Sequence, residues 1–444
     1  MQRTNQKTTN IRGMNMKRKM VFLLCPMALL LGYTSASMAG RGHMSVEIPI
    51  EMLGKQIFED MELSINRNQS CASCHDLMWG GTGPDSATNA AGAVHEGSIT
   101  SRFGNRKPPS AAYATLSPIF HLSKRGDGQF VGGNFWDGRA TGEKLGNPAA
   151  DQAQGPFLNP VEMGLPDSAC VVYRVSVASY APLYERVWGD SISTIPFPAD
   201  TDSLCEQEGV TIQLSPEERA NVEMAFDRIA ISIAAYEDSP EVNQFNSKYD
   251  AGWRHEDHLT SQEKSGYELF KGKGKCASCH VIRGRHAAFT DFTYDNLGVP
   301  PNPENPALIA DPSYVDKGLG GYLMSRGETA EVYEPEMGKM KVPTLRNVDK
   351  RPTPDSIKAY THNGYFKTLK GLVHFYNTRD VKDRCPGLYT EAEALAANCW
   401  PAPEVPENVN NIELGNLGLT EEEEDAIVAF MKTLTDGAET SRKK

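Results

Sequence analysis

The sequence predicts a mainly α-helical protein built as two tandem units with long irregular loops. Three observations predict it. One cysteine–histidine pentapeptide occurs twice, each copy follows a helical apolar pattern, and strand patterns are sparse in a chain with 39 Gly and 28 Pro.

The first 39 residues read as a cleavable export signal rather than as part of the fold. They carry six basic and no acidic residues, and Lys17-Arg18-Lys19 immediately precedes an apolar run that begins at Met20. Ser35, Ala36, Ser37 and Ala39 then supply the small residues of a cleavage site after Ala39. The apolar run of about 12 to 15 residues is shorter than the roughly 20 that span a bilayer, and no later segment is apolar enough to span. The expected location is therefore the periplasm. Removing six of 45 Lys+Arg leaves 39 against 57 Asp+Glu, a net charge of −18. That balance argues against nucleic acid and favours partners with cationic patches. About 405 residues exceed the usual single-domain size, so an N-terminal domain over 40–240 and a C-terminal domain over 241–444 are expected.

Cys71-Ala-Ser-Cys74-His75 and Cys276-Ala-Ser-Cys279-His280 are identical. Two thiols can add across the vinyl groups of a haem, and an imidazole on the next residue can bind its iron, so C-x-x-C-H attaches haem c from one turn. A thiol–disulfide redox pair or a zinc site explains neither histidine, and no second ligand cluster has zinc spacing. Two covalently attached haem c groups are expected, with all six residues binding them and His75 and His280 as iron ligands. Cys25 leaves with the export signal. The four remaining cysteines are expected as the disulfides Cys170–Cys205 and Cys385–Cys399, each within one loop region, although other pairings stay possible.

Local sequence justifies the helices in order. Leu53-Gly-Lys-Gln-Ile-Phe precedes the first motif, and Leu259 to Gly272 precedes the second with a capping box from Thr260 to Glu263. Ser215-Pro216-Glu217-Glu218 opens a long helix to about Glu237, with a cap, a proline in the first turn and a capping glutamate. The polar stretch 238–258 reads as the interdomain linker. A further capping box, Thr420 to Glu423, starts an amphipathic helix through Ile427, Phe430 and Leu434. Helix, haem motif, long loop and closing helix make up the cytochrome c pattern, so each domain is expected to be cytochrome c-like around one haem.

The segment between the motifs reads Phe135-Trp-Asp-Gly-Arg-Ala140, then Asp151-Gln-Ala-Gln-Gly-Pro-Phe-Leu-Asn-Pro-Val-Glu-Met-Gly164. With Val342-Pro-Thr-Leu-Arg-Asn-Val348 and Tyr360-Thr-His-Asn-Gly364, it resembles the bacterial di-haem cytochrome c peroxidase/MauG family over nearly the whole mature chain. The resemblance implies that the His75 haem is peroxidatic and the His280 haem handles electrons. It places Glu162 as the distal acid–base group, with Gln152 and Pro156 in the same pocket. A carboxylate suits that task, because peroxide heterolysis needs a proton moved from one oxygen to the other. Trp136 matches the tryptophan between the haems, whose indole can relay charge.

Tyr376, within Thr368 to Tyr376, takes the place of the methionine that typical members use as sixth ligand of the second haem. An oxygen donor favours oxidised iron, whereas a soft thioether favours the reduced state. Met337, Met340 and His374 are the alternatives. His95 stands where conventional members carry a removable distal ligand of the first haem, so it either binds that iron or leaves it open. Lys107 falls at the asparagine of the family's interdomain calcium site, with Asn105 as a substitute two residues away, and this puts calcium in doubt.

Three functions follow from these residues. The first is a MauG-like peroxidase that uses hydrogen peroxide to oxidise an exported tryptophan-bearing protein or redox partner. The second is a conventional cytochrome c peroxidase supplied by a small cytochrome c or a cupredoxin. The third is a non-catalytic electron carrier.

Overall fold

The computed structural model describes residues 49–124, 128–189, 192–252, 258–284 and 286–437. The export signal expected over 1–39 lies outside them. Helices dominate, and the described strands are two short antiparallel pairs. His121–Leu122 (β1) pairs with Phe130–Val131 (β2), and Tyr294–Asp295 (β3) with Met340–Lys341 (β4).

Helix α1 (Pro49–Glu59) ends before the first motif, α2 (Pro148–Leu158) and α3 (Ser168–Val177) follow it, and α4 is Pro216–Glu237. Ser215 and Glu218 cap each other's backbone at the start of α4, as the sequence predicts. A short helix α5 (Lys248–Gly252) leads to α6 (Ser261–Lys271), and α7 (Leu369–Thr378) precedes α8 (Glu421–Lys432). Capping boxes at Thr260 and Thr420 open α6 and α8.

The two helix pairs repeat one packing solution. A Cβ on Gly54 of α1 would collide with the Ser232 carbonyl of α4, and one on Gly266 of α6 with the Ala426 carbonyl of α8. Absence of a side chain thus lets each pair of backbones touch. Four residues further on, Phe58 meets Tyr236 edge-on at 5.3 Å, and Phe270 meets Phe430 edge-on at 5.2 Å. One large hydrophobic cluster has its buried members between Leu53 and Val242, and another has them between Tyr249 and Leu434. Disulfides join Cys170 to Cys205 and Cys385 to Cys399.

Of the stretch expected as the interdomain linker, residues 238–252 and 258 are described, and some of them make buried contacts. Asp250 is buried and receives both terminal nitrogens of buried Arg346, at 2.6 and 2.9 Å. Tyr249 N–H donates to the Thr433 carbonyl at 3.0 Å. At Asp250, polarity serves buried pairing rather than solvent exposure.

Candidate haem sites

Each pentapeptide forms a single 3₁₀ turn, Cys71–Ser73 and Cys276–Ser278, and the four cysteines are unbonded. Burial pushes the Cys74 and Cys276 thiols up to about 12. That is the reverse of a reactive redox C-x-x-C, whose thiol is lowered. His75 Nδ1 lies 3.0 Å from the Gly81 carbonyl, and His280 Nδ1 lies 2.8 Å from the Phe289 carbonyl. A ring nitrogen that donates to a carbonyl fixes the tautomer and leaves Nε2 with a lone pair for a metal. Two thiols and one oriented imidazole thus sit at the wall of each of two clefts of about 980 and 1440 Å³, open mouths included. Both donor sets fit haem c.

The first cleft brings together His75, His95, Phe135, Trp136, Arg139, Gln152, Pro156 and Glu162. Gln152 and Pro156 lie one turn apart on α2 and therefore share a face. The chain then turns tightly around Asn159. Its side chain donates to Glu162 Oε1 at 2.9 Å and accepts from Val161 N–H at 3.2 Å. Burial raises the Glu162 pKa, while nearby Arg139 and the Asn159 bond oppose the shift. Arg139 is itself held by Asp137 at 2.8 Å and lies over the Phe135 ring.

His95 reaches the same cleft, with its buried Nε2 lacking a hydrogen-bond partner and packed against Gly83. Burial, then the neighbouring His75, lower its pKa to about 4.

Trp136 lines both clefts and a third, smaller cavity beside His75. Its indole N–H donates to the Lys107 carbonyl at 2.8 Å, and its own carbonyl accepts from Lys341 N–H at 2.8 Å. Lys107 precedes Pro108-Pro109 and Lys341 precedes Val342-Pro343, and these two segments line the His75 and His280 clefts. Trp136 is thereby bonded to one wall of each site. Arg106 steadies this loop by bridging Asp137 and Asp316, at 2.6 Å each.

The second cleft holds Cys276, Cys279, His280, Tyr376 and Met340, together with Asp295 and Glu413. Tyr376 is carried by α7, and burial followed by the nearby cysteines raises its pKa. His374 is turned elsewhere: Nδ1 meets Glu424 at 2.9 Å and Nε2 meets Lys382 at 2.6 Å. Met337 does not line the cleft among the described residues. Asn410 ties the two acids together, at 2.6 Å from Asp295 and 2.9 Å from Glu413.

Lys107 is buried, and its ammonium donates to Thr82 Oγ1 at 2.7 Å and to the Pro108 carbonyl at 3.1 Å. A calcium ion needs oxygen acceptors, whereas an ammonium offers only donors, so this position does not fit that ion. Asn105 is engaged with Tyr314 Oη at 2.5 Å.

In the sequence, Arg139 carries no assigned role and Glu237 marks only the end of a helix. Glu237 ends α4, faces the first cleft and the small cavity beside it, and is raised by burial to about 8. A glutamate at the end of a charged helix carries no local mark that it points inward.

Fold and sites together define a helical protein with two candidate haem clefts, both lined by Trp136. Residues 50–258 match the family described as di-haem cytochrome c peroxidase. Methylamine utilization protein MauG of Paracoccus denitrificans is 35% identical over 423 residues, 93% of this chain and 94% of its own. Cytochrome c551 peroxidase of Nitrosomonas europaea is 27% identical, with 86% of this chain and 79% of that protein covered. Among solved structures, the di-haem peroxidase BthA of Burkholderia thailandensis superposes with a TM-score of 0.68 at 28% identity, covering 88% of this chain and 87% of that one. A tyrosine-to-methionine variant of BthA matches with a TM-score of 0.67. The chain belongs to the di-haem cytochrome c peroxidase family and is a di-haem c-type peroxidase.

Proposed function

We propose that this is a MauG-like peroxidase of the periplasm, with one covalently attached haem in each of two cytochrome c-like domains. It spends the oxidising power of hydrogen peroxide on an exported protein, either a tryptophan-bearing substrate or a small redox partner. The observation that carries the reading is a tyrosine, Tyr376, in the His280 cleft where a soft methionine ligand would serve a pure electron donor. Location rests on the export signal, and no helix among the described residues is long and apolar enough to cross a membrane.

Cys71, Cys74 and His75 would hold a haem, which would supply the iron chemistry that breaks the peroxide bond. Glu162 takes the proton from the inner peroxide oxygen and returns it to the outer one, and its raised pKa suits a group that must both accept and release. Gln152 and Pro156 line the same cleft, and Asn159 holds the carboxylate in position. Trp136 couples the two sites through its bonds to Lys107 and Lys341. At the second site, Tyr376 offers a hard oxygen donor, and Asp295 and Glu413 add negative charge nearby, which favours the oxidised haem.

One observation favours the conventional peroxidase as a second reading. His95 Nε2 is buried, unpartnered and in the His75 cleft, so it could ligate the first iron until reduction releases it. Mixing the diferric protein with hydrogen peroxide separates the two. The MauG-like reading expects both haem absorptions to change without prior reduction. A response only after one-electron reduction would establish the conventional cycle instead.

A further inference from the structure

Tyr113 is 1% exposed and lines the small cavity that also holds His75, Trp136 and Gln152. Its hydroxyl donates to Asp436 Oδ2 at 2.6 Å and accepts from Phe245 N–H at 3.0 Å. Asp436 is fixed in turn by Asn347 Nδ2 at 3.0 Å and Asn246 N–H at 3.2 Å. The phenolic proton therefore has one destination, and that acceptor is already solvated by two other donors.

Burial and the adjacent Asp436 raise the Tyr113 pKa, so the phenol does not ionise unaided. The guanidinium of Arg346 lies 5.8 Å from the centre of the same ring. A cation there opposes positive charge on the ring, so an electron can leave only if the proton leaves with it. Asp436 stands within transfer distance of that proton.

We propose that Tyr113 is a redox-active residue of this peroxidase, giving one electron to the peroxide-oxidised haem pair while its phenolic proton passes to Asp436. Reduction of one hydrogen peroxide to two waters takes two electrons and two protons. Tyr113 supplies one of those electrons, leaving a neutral tyrosyl radical and a protonated Asp436, and the exported redox partner protein of the proposed function supplies the other. The two protons that complete the waters come from solvent. Trp136 in the same cavity places the phenol beside the route that joins the two haem sites. The proposal rests on the peroxidase activity of the family.

Rapid-freeze EPR of the haem-loaded protein after mixing with hydrogen peroxide tests it. An organic-radical signal is expected that narrows when the chain carries ring-deuterated tyrosine and disappears in Tyr113→Phe. Asp436→Asn keeps the shape and an acceptor oxygen but cannot take the proton, so the radical yield should collapse there while the haem absorption still responds to peroxide. A haem response without a tyrosine-derived signal in the parent protein would overturn the proposal. So would a tyrosine signal that is undiminished in Tyr113→Phe. Haem absorption unmoved by peroxide in the parent protein would overturn the peroxidase reading itself, and the proposal with it.

Discussion

The two haem sites start from the same five residues and the same anchor, yet their opposite walls differ. In both, a 3₁₀ turn presents two thiols, and the histidine Nδ1 is tied to a backbone carbonyl some residues downstream. Across the first cleft stand Glu162, Gln152 and Pro156, which can handle protons and leave space. The second cleft holds Tyr376, whose phenol can fill a coordination position, and has Asp295 and Glu413 grouped beside Cys279, where their charge can favour an oxidised centre. The comparison teaches that one pentapeptide can serve two differently lined clefts; on the proposed reading it attaches each haem, whereas side chains supplied by distant segments set what each haem does.

The sharpest way to break this division is at Glu162. Glu162→Gln keeps the shape and the Asn159 contact but removes the base, and should lower peroxide turnover by about 10²–10⁴-fold with haem content unchanged. In the parent protein, Glu162 must be ionised to accept a proton. Its folded pKa is raised, so activity should fall as pH drops through a value above the ordinary carboxylate range. That acid limb should vanish in the variant, and a pH–rate profile of both proteins checks it.

A smaller effect is expected at the second wall. Tyr376→Met replaces a hard donor with a soft one. It should raise the potential of the second haem and confine the peroxide response to the first, leaving the initial reaction with peroxide nearly unchanged. Redox titration followed by haem absorption reads both outcomes. An unchanged potential would return Met340, which lines the same cleft, to consideration.

The smallest effect tests the symmetry rather than the difference. Gly54→Ala and Gly266→Ala each push a methyl group into a facing helix carbonyl. Each should cost roughly 1–3 kcal/mol of stability, as overpacking does, with similar losses on the two sides. Thermal unfolding of the haem-loaded variants gives the comparison, and a large inequality would mean the two helix pairs are not equivalent supports.

Much of the symmetric part was legible in sequence. Motifs and capping residues are local, so the turns at Cys71 and Cys276 and the helices from Pro216, Ser261 and Glu421 follow from short windows, whereas the two disulfides were one of several pairings the sequence allowed. The asymmetric part was legible mainly through the family resemblance that singled out Glu162, Trp136 and Tyr376. What escaped is polar, and two of the three residues, Asp250 and Glu237, are buried. Asp250 inside the apparent linker, Glu237 at a helix end and Arg139 beside Glu162 look like surface residues in a pattern of apolar and polar positions. Their roles exist only once distant segments meet, as when Arg346 closes on Asp250 from 96 residues away.

The central claim is that the first haem has an open face for peroxide and the second does not. Low-temperature EPR of the mature diferric protein tests it most directly. The account predicts one high-spin signal from the His75 site and one low-spin signal from the site facing Tyr376. Two low-spin signals would contradict it, placing a ligand such as His95 on the first iron.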